Sequence, residues 1–294
     1  MNFVNKTLSR LQTTSACFDD KLALLRNELV EILNGKSVYV LDGGRGVVGE
    51  IVDKSLEKTK DSIVKDYIEK NLFAGKKPNT AGEMFQSLFS DNVLVENIDL
   101  AKSSFLVENY RQKAGLIVLA GSPLDWDASL DDQFCYLAKD YLQIYESARS
   151  GKIPLLGVCF GFQTLASVVD GLSVKALNRK IKRHVLVHSV CGQELSLYSN
   201  HGQGVKMRAG EFKSQKIQPL FYHRKLLYGA LIIDEGYTAL GLQMHPEGMI
   251  LQTLVDVAVL SDLDDDDFLR MINMRSDSLK FVLEKVLAYL RDSL

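Results

Sequence analysis

A single thiol sits between two glycines where an apolar run ends: Ile153-Pro-Leu-Leu-Gly-Val158 continues as Cys159-Phe-Gly161-Phe-Gln163. A buried strand that turns this abruptly into a helix leaves no room for large neighbours at the turn, and glycine fits there. Turns of this kind belong to chains that alternate strands with helices, where a side chain at the strand end stands above the sheet. The rest of the pattern agrees. Ser37 to Asp42, Val93 to Val95, Leu116 to Leu119 and Ala239 to Gln243 read as short strands, the first a buried parallel one. Helical stripes run through Phe18, Leu22, Leu25, Leu29 and Leu33, through Leu130 to Ala148, from Phe162 to Val169, and through Leu279, Leu283, Val286 and Leu290. The expected fold is an α/β three-layer sandwich around a mainly parallel central sheet. Residues 1–36 read as an N-terminal helical extension and 37–294 as the main domain. The polar stretch at about 50–90, with a turn near Gly75 and Pro78, reads as a helical insertion, and short β-like pieces are expected after Gly171.

Composition narrows the function. Of 294 residues, 35 are Lys or Arg and 37 are Asp or Glu, so no overall positive field would hold the chain on nucleic acid or on an anionic membrane. Cys17, Cys135, Cys159 and Cys191 are far apart and form no CxxC pair, which argues against a zinc knuckle or a disulfide framework and fits a reduced cytosol. The first twenty residues lack a secretory apolar core, and no apolar run reaches the ~20 residues of a membrane span. A cytoplasmic protein is expected.

A cysteine in a strand–helix turn is more often structural than reactive. The second constellation reverses that reading here: Gln243-Met-His245-Pro246-Glu247, also just after an apolar strand. A thiol needs an imidazole to take its proton, and the imidazole needs a carboxylate to orient it. His245 and Glu247, two apart around a rigid proline, can serve one site together. Backbone N–H groups at the start of the helix after Cys159 face where an oxyanion would develop.

With these two motifs, Gly157-Val-Cys-Phe-Gly-Phe-Gln163 and Gln243-Met-His-Pro-Glu247, the sequence resembles the class I glutamine amidotransferases from about Ser37 to Gly248. The resemblance implies a flavodoxin-like glutaminase domain with a Cys159, His245, Glu247 triad that hydrolyses the side-chain amide of glutamine through a cysteinyl thioester. It further implies an oxyanion hole from the backbone amides of Ser122 and Phe160. Ser122 stands where the family usually has glycine, in Leu119-Ala-Gly-Ser-Pro123, so that loop has less conformational freedom. Gly121, Gln163 and the segment Asn200, His201, Gly202 and Gln203 would bind the substrate. No cofactor or metal is implied. Ammonia made in this family is usually consumed by a synthetase. The stretch beyond Glu247 is too short for an ATP-binding domain and the phosphate-loop pattern is missing, so the expected partner is a separate synthetase. A local basic cluster, Lys175, Arg179, Lys180, Lys182 and Arg183, is one candidate docking face, though a solvated face explains it as well.

Two other functions stay open: a γ-glutamyl hydrolase acting on a γ-glutamyl conjugate with the same thiol, and a non-catalytic regulatory pseudoenzyme. Gly44 to Gly49 spells GxGxxG after a strand, but no second strand ending in an acid comes at the spacing a dinucleotide site needs, so it reads as a glycine-rich turn. His184 and His188 are expected on a strand, too far apart to chelate one metal readily, and the run Asp262 to Asp267 reads as a solvated helix start.

Overall fold

Strand β1 (Ser37–Asp42) is buried on both faces, its side chains alternating between two cores: Val38 and Val40 pack on one side, Tyr39 and Leu41 on the other. The computed structural model describes residues 3–43, 47–102, 105–122, 132–170, 172, 174–206, 216–260 and 262–294. Within them β1 pairs in parallel with β2 (Val95–Asp99) and β3 (Ala114–Leu119); β3 pairs in parallel with β4 (Leu155–Val158), and β4 with β9 (Tyr237–Leu242). Beyond β9 the sheet turns antiparallel through β8 (Leu226–Asp234), β7 (Ile217–His223), β5 (Val174–Ser189) and β6 (Glu194–Val205). The order is β2-β1-β3-β4-β9-β8-β7-β5-β6.

Helices cover both faces, giving the three layers. One core joins α1 (Phe3–Leu33), α2 (Val47–Leu56), α3 (Ser62–Leu72), α4 (Ala81–Phe89), α8 (Met249–Val259) and α9 (Asp265–Ser293) to the sheet. The other holds α5 (Val107–Tyr110), α6 (Asp132–Gly151) and α7 (Phe160–Asp170). Polar starts fix several of these helices: Thr80 and Glu83 close a capping box on α4, and Asp264 caps α9 through the Asp267 amide.

Several boundaries differ from the sequence reading. Helix α1 begins fifteen residues before the Phe18 stripe; its first half buries Thr7, Arg10 and Thr14 around Leu11, a mixed row that an apolar periodicity does not reveal. One guanidinium nitrogen of Arg10 donates to the Leu263 carbonyl and to Asp265, both 2.6 Å away. Strand β2 starts where the apolar Val93-Leu-Val95 run ends; as an edge strand it is only half-buried, so its sequence is polar. The short pieces expected after Gly171 are two long strands, β5 and β6, which pair as a hairpin along most of their length. Their solvent-facing residues break the apolar run. Gly44 to Gly46, Leu130 and Pro123 lie outside the described residues, as do the side chains of Cys135, Arg179, Lys180 and Lys182.

The parallel strands β1, β3, β4 and β9 all end on one edge of the sheet. That edge is where open α/β sheets place their ligands.

Candidate active site

Cys159 comes directly after β4 and has φ +51°, a left-handed backbone that costs a non-glycine residue on the order of 1–2 kcal/mol. The two glycines make the turn possible. A Cβ on Gly157 would lie 2.8 Å from backbone atoms of Gly161 and Phe162, and one on Gly161 would lie 2.3 Å from the Leu119 carbonyl oxygen. The Cys159 amide donates to the Leu242 carbonyl at 2.7 Å, so β9 brings the residues after it beside the thiol.

Those residues carry the imidazole. The His245 amide donates to the Tyr198 carbonyl at 3.0 Å, and Pro246–Gly248 forms a 3-10 turn that bends Glu247 back toward the ring. Nδ1 of His245 stands 2.7 Å from Oε1 of Glu247. Nε2 is buried as well. Burial alone would depress the imidazole, but the charge of Glu247 and the neighbouring Cys159 outweigh it and hold His245 well above the usual histidine range.

Gly121, just after β3, lies between the two motifs. A Cβ there would fall 2.8 Å from Cε1 of His245 and 3.4 Å from Cβ of Cys159. Cys159, His245 and Glu247 therefore meet around one cavity of about 320 Å³, which Gly121, Ser122, Gln163, Asn200, His201, Gly202 and Gln203 also line. Phe160 turns its ring away into the core against Tyr141, 6.0 Å between centroids, and leaves its backbone at the start of α7. In the β6 segment, the His201 ring nitrogen Nδ1 lies 2.6 Å from the Gln203 carbonyl, and the Asn200 Oδ1 atom is buried without a hydrogen bond.

Some of the lining had no signal in the sequence. Asp42, at the end of β1, accepts from the Ala81 amide at 3.3 Å and reaches the cavity wall. Val48, Ile51, Met84 and Leu251 form an apolar side of the cavity, contributed by α2, α4 and α8. Gln243, fully buried, donates from Nε2 to Sγ of Cys159 at 3.6 Å. The repeated strand endings hinted at Asp42, and Gln243 stood in the His-Pro-Glu motif with no sign of its bond to Cys159; nothing local marked the apolar residues.

Behind the site lies a second charged cluster. Asp256 on α8 stands 2.9 Å from Arg275 on α9 and 3.4 Å from His184 on β5, and it accepts from Gln252 at 2.7 Å. The Tyr198 ring separates the clusters, 5.8 Å from the His184 ring and 6.5 Å from that of His245. Burial, then Glu247 and Asp256, push its phenol up to about 12.

His184 and His188 both fall on β5, and no group of three or more His, Cys, Asp or Glu that could hold a metal converges among the described residues. No helix among them is long and apolar enough to cross a membrane.

The family model described as Glutamine amidotransferase class-I matches residues 87–253. No curated protein matches the sequence. Among solved structures, a glutamine amidotransferase from Thermotoga maritima is 18% identical, with 88% of this chain and 97% of that one covered and a TM-score of 0.48. The glutaminase domain of Trypanosoma brucei CTPS, with bound acivicin, is 12% identical, with 78% and 96% covered and a TM-score of 0.42.

Proposed function

We propose, from the premise that this chain belongs to the glutamine amidotransferase class-I family, that it hydrolyses the side-chain amide of glutamine with Cys159 as nucleophile and passes the ammonia to a separate synthetase. The observation that carries this reading is the meeting of a strained cysteine and a carboxylate-paired imidazole across Gly121.

The thiol proton goes to His245, and the sulfur attacks the amide carbon of glutamine. The carbonyl electrons move onto oxygen, where the backbone N–H groups of Ser122 and Phe160 stabilise the oxyanion. As the C–N bond breaks, His245 gives its proton to the departing ammonia, leaving the γ-glutamyl thioester. Water then attacks the thioester with His245 as base, releasing glutamate and restoring the thiol. Glu247 keeps the ring oriented and favours its charged form, consistent with the upward displacement of His245. Asn200, His201, Gly202, Gln203 and Gln163, which all line the cavity, hold the amino-acid end.

Val48, Ile51, Met84 and Leu251 on the lining, beside the polar Glu50, Lys54 and Ser55, favour a second reading, because free glutamine has no substituent beyond its amide nitrogen to reach them. A γ-glutamyl alkylamide does, and its hydrolysis uses the same steps with an amine leaving in place of ammonia. Incubating the protein with glutamine and with γ-glutamyl alkylamides, and measuring glutamate, ammonia and free amine, separates the two. Glutamate and ammonia from glutamine, with a faster rate when the cognate synthetase is added, supports the first; turnover of the alkylamide alone supports the second. No turnover of either overturns both.

A further inference from the structure

We infer that Gln243 is a positioning residue for the nucleophile, its side-chain amide donating a hydrogen bond to the sulfur of Cys159 in an orientation dictated by a relay that starts at a backbone carbonyl. The inference rests on the reading of Cys159 as nucleophile.

The relay fixes every atom. The Gln203 carbonyl oxygen can only accept, so the atom of Gln163 that meets it at 3.1 Å is the nitrogen. The same nitrogen lies 3.1 Å from the Gln243 side chain, which must therefore present its oxygen there. That leaves the Gln243 nitrogen facing Sγ of Cys159 at 3.6 Å. Gln163 is 3% exposed and Gln243 fully buried, so water cannot compete for either amide. The direction of the bond matches the chemistry: a thiolate accepts and cannot donate, and a donor bound to it both favours the charged form and sets the direction of its lone pairs. As the sulfur becomes a thioester it loses its charge, and the bond weakens. Gln243 therefore acts before the attack, on the state that reacts.

Among the described residues, His245 after β9 and Tyr141 on α6 act on the sulfur, while Asp42 from β1, Glu50 and Lys54 from α2, Tyr198 and His201 from β6 and Glu247 line the same cavity. His245 holds the proton; Gln243 supplies a neutral donor from another direction.

Gln243→Met keeps the length of the side chain without its polar atoms, and Gln243→Glu keeps its shape without its donor. In both, alkylation of Cys159 by iodoacetamide at neutral pH should slow about tenfold, the lower range for a hydrogen bond to a charged group, and its pH profile should move about one unit to the alkaline side. The kcat for glutamine should fall by a similar factor with KM unchanged. A folded variant that alkylates at the wild-type rate with the wild-type profile overturns the inference. Alkylation needs no glutamine turnover, so a protein with the expected alkylation change and no glutaminase activity would overturn the proposed function alone. In the unmutated protein, one of the two Gln243 side-chain amide protons should move downfield in a 15N–1H spectrum as the thiol ionises, with no such movement in Cys159→Ala. Equal movement of both protons, or none, also overturns it, whether or not the variants fold.

Discussion

Two histidines in this protein each face a carboxylate and are pushed in opposite directions. Among the described residues Glu247 pairs with His245 and with no cation, and the carboxylate together with Cys159 lifts the ring well above the usual range. His184 shares Asp256 with Arg275; burial, reinforced by the guanidinium's charge, depresses it although Asp256 pulls the other way. Burial opposes the charged form in both cases. What differs is the company each pair keeps: a thiol beside His245, an arginine on the acid of His184. On the proposed mechanism the first histidine carries a proton, while the second is part of the frame.

The sharpest break in this contrast is Cys159→Ala. Glutaminase activity should fall by more than about a thousandfold while the circular dichroism spectrum and melting temperature stay near wild type, because the reacting groups act as one unit. Next comes Glu247→Gln, which leaves His245 without its counter-charge: kcat should drop by roughly a thousandfold, and histidine NMR titration should place His245 lower than in the wild type. In the frame, Arg275→Met should cost about 1–2 kcal/mol of stability by urea unfolding, because it leaves half-buried Asp256 without its arginine and leaves His184 as its remaining ring partner. The sign with pH is set by Asp256. Burial would raise its carboxyl, but His184 and Arg275 hold it below the ordinary 3.8, so its stabilisation is present above 3.8 and lost as pH falls through the folded value. Without Arg275 that loss sets in at higher pH, which an acid-unfolding curve measures. The smallest expected effect is Gly121→Ala, whose methyl group pushes on His245: kcat should fall about tenfold with little change in the melt, since displacing a reacting group by a fraction of an ångström misaligns it.

The sequence spoke clearly where one backbone position has few solutions. Gly157 and Gly161 are there because a strand, a helix and Leu119 approach too closely for a Cβ, and that demand is written in adjacent letters. His245 and Glu247 are legible for the same reason, two residues apart around a proline. The His184–Asp256–Arg275 cluster was invisible, since its members come from β5, α8 and α9 with no shared local pattern. Gln243 stood in a recognised motif, but its bond to Cys159 joins positions 84 apart and depends on strand register. The first half of α1 escaped because buried threonines and an arginine replace the apolar stripe a period search looks for.

The pairing of α1 with α9 has a consequence for how the chain is made. Arg10 reaches Asp265, Lys21 reaches Asp277 and Glu28 reaches Arg291, so the two helices lie side by side although about 255 residues separate their contacts. On the ribosome, Leu11, Phe18 and Leu22 of α1 stay uncovered by α9 until the roughly 255 residues between their contacts have been translated. The closing of this helix pair thus waits for the synthesis of the whole intervening sheet, a contact that local helix formation alone cannot make.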